Sequence, residues 1–242
     1  MLERTERALL DLVRSARQAG RLLEAGEEPE GVSLDGAYRV QAALARGRAL
    51  QGYKLGLVSR AKQAQMGISE PIYGRVTTGM LLEPPVQLER FLQPRVEAEL
   101  AVVLRDDVPP DAAPGTARLA VGPAFLAIDI LDSVWRDYRF RITGVVADNA
   151  SGGGFVLGTR TLPLPLDGEL RLYQAGELLA HGSLGELGNA EERLLWLARA
   201  TGGLRAGQVI FLGSPAAAAP ARPGVLEVHG PEGSLLLARF ES

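Results

Sequence analysis

The 242-residue chain contains no cysteine, which excludes thiolate nucleophiles, thiolate metal ligands and disulfide staples. Its two histidines, His181 and His229, lie far apart and lack the short spacing of a zinc-binding pair, so a zinc site of the usual kind is disfavoured. No apolar run approaches the roughly 18 residues that cross a bilayer. The opening Met1-Leu2-Glu3-Arg4 lacks the basic-then-apolar order of a secretion signal, so the expected compartment is the cytoplasm, with no membrane partner. A net charge of −3 supplies no basic surplus for nucleic acid. No serine stands in G-x-S-x-G, and no Gly-Lys-Ser/Thr closes a glycine-rich loop, which leaves a hydrolase elbow and a P-loop unsupported. Lysine is scarce: Lys54 and Lys62 are the only two among 26 basic residues.

Hydrophobic residues make up 46% of the chain and charged residues 23%, enough for one sizeable core. Residues 4–25 have the spacing of an amphipathic helix, with Leu9, Leu10, Leu12 and Val13 on one side and Arg14 and Arg17 on the other. Ser33 is the N-cap of an expected second helix running to about Arg48. From Tyr53 the pattern becomes short apolar runs divided by Gly and Pro. Strands are expected near 53–58, 96–104, 124–131, 154–158, 168–173, 208–212, 225–229 and 235–240, and one more helix at 191–201. This order is not the β-α alternation of a doubly wound sheet. It predicts an α+β chain, with a helical N-terminal region at 1–50 and a β-rich body at 51–242. The Ala/Pro-rich stretch 214–223 has strands on both sides and is expected to be a loop within that body.

Arg95–Leu104 reads R-V-E-A-E-L-A-V-V-L. Strand alternation puts Val96, Ala98, Leu100, Val102 and Leu104 on an apolar face and Glu97 and Glu99 together on the other, roughly 6–7 Å apart. Two such carboxylates repel unless solvent, a proton or a cation intervenes. Asp129 then interrupts the apolar run A-F-L-A-I-D-I-L (124–131). An ionised carboxylate there costs several kcal/mol unless paired or bound to metal. Glu97, Glu99 and Asp129 are therefore candidate ligands for a hard dication, because Mg²⁺ and Mn²⁺ prefer oxygen. The competing reading pairs Asp129 with Arg136, Arg139 or Arg141, and Asp132 is a rival ligand. Lys54 sits in an apolar strand framed by Gly52 and Gly56, either snorkelling or holding a substrate carboxylate or a proton. The run Asp148-Asn149-Ala150-Ser151-Gly152-Gly153-Gly154 can form a tight loop that offers backbone N–H groups to an anion.

Four blocks, G-Y-K-L-G-L-V-S-R-A-K-Q-A-Q-M-G-I-S-E-P-I-Y-G (52–74), R-V-E-A-E (95–99), I-D-I-L-D-S (128–133) and V-V-A-D-N-A-S-G-G-G-F-V-L-G (145–158), resemble the hydratase/decarboxylase branch of the fumarylacetoacetate hydrolase superfamily. The resemblance covers roughly residues 33–240. It implies a rolled mixed β-sandwich preceded by a small helical region, with Mg²⁺ or Mn²⁺ held by Glu97, Glu99 and Asp129. It implies Lys54 as the catalytic residue, and Lys54, Arg139 and Ser151 as contacts for a small 2-oxo acid. Two activities of aromatic meta-cleavage compete: decarboxylation of 4-oxalocrotonate (2-oxo-3-hexenedioate) and hydration of 2-hydroxypenta-2,4-dienoate. The block 61–67, Pro71-Ile72-Tyr73-Gly74 and Tyr138-Arg139-Phe140 look more like the decarboxylases, since hydratases usually carry an acid where Ile72 stands. A homo-oligomer, a complex with a partner hydratase, and a non-catalytic subunit stabilising such a hydratase are also family possibilities. The chain departs from the family pattern at Asp129 (normally Glu), Val134 (Arg), Gly154 (often Arg in decarboxylases) and Val225 (Asp).

Overall fold

The computed structural model describes residues 2–59, 63, 66–162 and 167–242. Most of the 61–67 motif therefore lies outside the described residues. Among the described residues, five helices, α1 (Arg4–Ala19), α2 (Leu34–Leu44), α3 (Thr116–Ala120), α4 (Ile142–Ala147) and α5 (Ala190–Thr201), accompany twelve strands. In chain order the strands are β1 (Leu50–Gly56), β2 (Ile72–Thr77), β3 (Val86–Gln87), β4 (Arg95–Leu104), β5 (Val121–Leu131), β6 (Gly152–Leu162), β7 (Glu169–Gln174), β8 (Glu177–Ser183), β9 (Val209–Phe211), β10 (Ala219–Pro220), β11 (Gly224–His229) and β12 (Leu235–Glu241). Every expected strand is present. The Ala/Pro-rich stretch 214–223, expected to be a loop, carries the short strand β10, which pairs Ala219 with Val96.

Both N-terminal helices end earlier than their apolar spacing suggests. α1 stops at Ala19 because Gly20 takes a left-handed cap, φ 62°, whose N–H returns to the last turn. α2 starts as expected, with Ser33 Oγ accepting from Gly36 N, and stops at Leu44.

The strands form two mixed sheets, one ordered β2-β1-β9-β4-β5-β6 with β10 beside β4, the other β3-β12-β11-β7-β8. Alternation then decides what each face buries. Val96, Ala98, Leu100 and Val102 of β4, with Leu126, Ile128 and Ile130 of β5, meet Leu170, Leu172, Leu226, Val228 and Phe240 of the second sheet. That is the sandwich core. The opposite face of the first sheet rolls inward and carries a smaller apolar cluster, Val76, Met80, Ala101, Ala127, Phe155, Val209 and Phe211, with Phe155 and Phe211 in ring contact at 4.3 Å. The roll is tight enough that a Cβ on Gly52 would lie 1.8 Å from Val209 O, so the close approach of β1 to β9 requires glycine.

The edges β2 and β6 are joined by side chain and loop. Asn149 Oδ1 accepts from Arg75 N at 2.7 Å, and Asn149 Nδ2 donates to Arg75 O at 2.9 Å. Helices α1, α2 and α4 pack as a third cluster beside this seam, around Leu9, Val13, Val40, Trp135 and Val146.

Arg17, expected on the wet side of α1, instead turns inward. Its Nη1 donates to Asp132 Oδ2 at 2.5 Å and its Nη2 to Asp148 Oδ1 at 2.8 Å. Both aspartates are buried. Removing the guanidinium strands two buried carboxylates, so Arg17→Ala is expected to cost about 3–5 kcal/mol, read from the midpoint of urea unfolding.

Candidate active site

The register of β4 on β5 sets Glu97 opposite Asp129 and Glu99 opposite Ala127. Directly opposed residues share a face, so all three acids project from the rolled inner face, beyond its apolar cluster. One oxygen from each lies within 4.8 Å of the others. Glu99 and Asp129 are fully buried, 0% exposed, and Glu97 is the least buried of the three. Glu99 Oε2 accepts from Gly213 N at 3.2 Å. Glu99 Oε1 and Asp129 Oδ1 are buried with no hydrogen-bond partner among the described residues.

These donors fit a hard dication. Octahedral Mg²⁺ with oxygens at about 2.1 Å sets neighbouring ligand atoms about 3 Å apart and opposite ones about 4.2 Å apart. A small closure of the present spacing reaches that range. Asp129 is one methylene shorter than the family's glutamate, yet it stands in the cluster.

Lys54 is the fourth member. β1 pairs Lys54 with Gly74 on β2, and the ammonium is buried with 3% exposure. Nζ lies 2.6 Å from Asp129 Oδ2 and donates to Ala150 O at 3.1 Å. Asp129 is thus ion-paired, as one reading of the sequence anticipated, but with Lys54 in place of a nearby arginine. The space for the lysine stem is cut by glycines. A Cβ on Gly74 would lie 3.0 Å from Lys54 Cγ, and one on Gly152 3.4 Å from Lys54 Cδ.

Ala150 O reaches Lys54 because Asn149, Ala150 and Ser151 all have left-handed φ, 55°, 51° and 56°. Three consecutive non-glycine residues in this region are costly. The hydrogen bonds of Asn149 to β2, and that from Asp132 N to Ser151 O at 2.8 Å, hold them there. The loop therefore turns a carbonyl toward a cation, where the sequence suggested N–H groups toward an anion. Ser151 is buried beside Lys54's partner, and its Oγ has no hydrogen-bond partner among the described residues. Arg139 is exposed and forms no ion pair among the described residues.

Asp132 stands outside this acidic cluster. Its Oδ1 accepts from Leu92 N and Gln93 N at 2.9 and 3.0 Å, and its Oδ2 is held by Arg17. Val134 is fully buried among the helices, and the cation beside Asp132 comes from Arg17. Gly154 faces away from the acids: a Cβ there would lie 2.6 Å from Leu82 Cδ1. Val225 stands half-exposed in the other sheet. His181 and His229 are exposed, and their ion pairs among the described residues are with Glu169 and Glu227.

Burial pushes Asp129 up to about 6, against the pull of Lys54 and with the push of Glu97. Burial and then Asp129 drive Glu99 well above the ordinary carboxylate range. Burial also opposes a charged Lys54, but Asp129, Glu99 and Glu97 together hold its ammonium above the usual value. A carboxyl raised in the folded state contributes stability below its unfolded value and loses it as pH rises through the folded one. The metal-free protein should therefore lose stability as pH climbs from about 4 through 6. A dication binds the ionised acids and stabilises by mass action. Added Mg²⁺ is expected to raise the melting temperature at about pH 8 and to lose that effect below about pH 6. Thermal melts across that interval, with and without Mg²⁺, check this.

Fold and site together define a rolled mixed β-scaffold carrying a buried cluster of three acids that could hold a cation, with a buried lysine beside it. No family model matches the chain. It is 35% identical over 198 residues, 78% of the chain and 76% of the relative, to a 4-oxalocrotonate decarboxylase of a Pseudomonas species. It is 38% identical over 184 residues, 70% of each, to a 2-keto-4-pentenoate hydratase of Paraburkholderia phymatum. The structure of 4-oxalocrotonate decarboxylase from Pseudomonas putida G7, complexed with magnesium and adipate, superposes with a TM-score of 0.88 at 27% identity, covering 100% of this chain and 99% of that one. The chain belongs to the hydratase/decarboxylase branch of the fumarylacetoacetate hydrolase superfamily. Among the described residues no helix is long and apolar enough to cross a membrane.

Proposed function

We propose that the protein decarboxylates 4-oxalocrotonate to 2-hydroxypenta-2,4-dienoate, with Glu97, Glu99 and Asp129 holding Mg²⁺. The observation that carries this reading over hydration is Ile72. Ile72 pairs with Gly56 across β1 and β2, two positions from the Lys54–Gly74 pair, so it lies on the same face as Lys54. It is 3% exposed and packs in the apolar cluster with Leu57 and Ile68. The hydratases' acid is thus replaced by an apolar wall. That wall has no group to activate water and disfavours a charged carboxylate against it.

Decarboxylation moves charge away from such a wall. The C5–C6 bond breaks and releases neutral CO₂. Its electron pair shifts through the alkene to the C2 oxygen, which takes up a proton. Magnesium, when bound, supplies a Lewis acid for the 2-oxo acid end. Lys54 holds the proton at Nζ and stands beside Asp129, at the end where the C2 oxygen must come to rest. Ser151 Oγ supplies a free hydroxyl to orient the C1 carboxylate, and Arg139 draws the dianion toward the site. In this reading residues 51–242 carry the reacting groups. Residues 1–50 buttress the 132–151 segment through Arg17.

The relatives include hydratases as similar as the decarboxylase, so the decisive experiment offers both substrates. Purified protein with Mg²⁺ is expected to release CO₂ from 2-oxo-3-hexenedioate. It is expected to form little or no 4-hydroxy-2-oxopentanoate from 2-hydroxypenta-2,4-dienoate. The reverse pattern overturns the assignment, and turnover of neither substrate points to a supporting subunit.

A further inference from the structure

A cavity of about 460 Å³ is lined in part by Asn149, Gly152 and Gly153, and none of Lys54, Glu97, Glu99 or Asp129 lines it. Its walls come from α1, the end of α2, β2 and the stretch before β4. Arg48, Arg75 and Arg90 line it along with Asn149, Gly152 and Gly153. Two aspartates, Asp132 and Asp148, also line it, but both are already paired with Arg17. Among the described residues Arg14 pairs with Asp11, on its own helix, at 3.5 Å. Arg48, Arg75 and Arg90 have no carboxylate partner among the described residues, whereas Arg21, Arg39, Arg136, Arg205 and Arg239 each have one. Arg75 is placed most firmly. Its guanidinium lies 5.9 Å from the centre of the Tyr53 ring, and its Nε is buried without a hydrogen-bond partner among the described residues.

Three unpaired guanidiniums around one concavity repel one another, and low-dielectric walls focus their field. Guanidinium forks match the oxygens of carboxylates and phosphates in pairs. A volume of about 460 Å³ falls within the range of small-molecule sites. We propose that this cavity binds a compact dianion, a short dicarboxylate or a phosphate group, on Arg48, Arg75 and Arg90. The anion would lie against Asn149 and Gly152, which flank the Ala150 whose carbonyl holds Lys54. Occupancy there therefore braces the turn. The site is separate from the cation centre and does not depend on which reaction that centre performs.

Calorimetric titration of the chelator-treated protein tests this, with inorganic phosphate in one arm and succinate in the other. Without metal, the dicarboxylate has no cation to chelate. Saturable binding of either anion is expected, weakening as salt is raised. Arg48→Gln/Arg90→Gln should weaken it at least tenfold, and Arg75→Gln likewise, while Arg118→Gln, an exposed arginine outside the cavity, leaves it unchanged. Because Arg48 and Arg90 are exposed, the double variant keeps the test valid even if Arg75→Gln fails to fold. Binding of phosphate alone assigns a phosphate site, and binding of succinate alone a dicarboxylate site. Absence of saturable binding of both, or equal affinity in the double variant, overturns the proposal.

Discussion

Glu99→Gln is expected to abolish Mg²⁺-dependent turnover and yet leave the metal-free protein at least as stable as the parent. The two effects share one cause. Glu99 is fully buried, and burial together with Asp129 raises its carboxyl well above the ordinary range. The folded protein therefore bears the cost of a charge it cannot solvate, and an uncharged isostere removes that cost. The amide oxygen can still ligate, but without the negative charge it holds a hard dication far more weakly than the carboxylate does. The lost charge stabilisation is several kcal/mol, so kcat/KM should fall by at least about 10³. Calorimetry should show Mg²⁺ affinity falling in parallel, while melting of the metal-free variant occurs at or above the parental temperature. A site tuned for function at the expense of stability behaves this way. Parental Mg²⁺ affinity in the variant would remove Glu99 from the cation centre.

The acids could be read from the sequence because a strand's period is short and charge inside an apolar run is costly. Alternation put Glu97 and Glu99 on one face, and the apolar run isolated Asp129. What alternation could not supply was the register that sets Glu97 opposite Asp129, since that is fixed by the pairing of two whole strands. Strand β2 was not anticipated, because Gly74 and Arg75 break its apolar pattern. Gly74 is there to let Lys54 and the Asn149 carbonyl pass, a Cβ lying 2.5 Å from Asn149 O. Strand β8 pairs with β7 alone, at a sheet edge, and its exposed Glu177, Leu178 and His181 give no clean alternation. Arg17 was invisible for another reason. On an isolated helix it belongs to the polar side, and its partner Asp132 is 115 residues away. The left-handed run at Asn149–Ser151 was equally hidden, since no glycine marks it and only tertiary hydrogen bonds sustain it. The departures at Val134, Gly154 and Val225 looked equivalent in sequence. The structure shows that none of the three projects toward the acids.

Lys54→Met separates metal binding from chemistry. The thioether chain has similar length and suits the narrow channel between Gly74 and Gly152, so packing is preserved while the cation is lost. In the parent protein Lys54 neutralises Asp129 at 2.6 Å and competes with a dication for that oxygen. Without it, Mg²⁺ affinity at about pH 8, above the value to which Asp129 is raised, should be equal or higher. At lower pH the order reverses. Asp129 and Glu99 lose the nearby charge that holds them down, so both acids titrate higher. The pH at which Mg²⁺ ceases to bind should therefore move upward. Turnover should fall by about 10²–10⁴, the usual contribution of a positioned proton donor. The loss should appear in kcat more than in KM, because the 2-oxo acid still meets the cation. Lys54→Arg should not restore it, since Ala150 O and the two glycines leave no width for a planar fork. A parental kcat in Lys54→Met would dismiss the lysine from the chemistry. A matching loss of Mg²⁺ binding would recast it as a support for the acids alone.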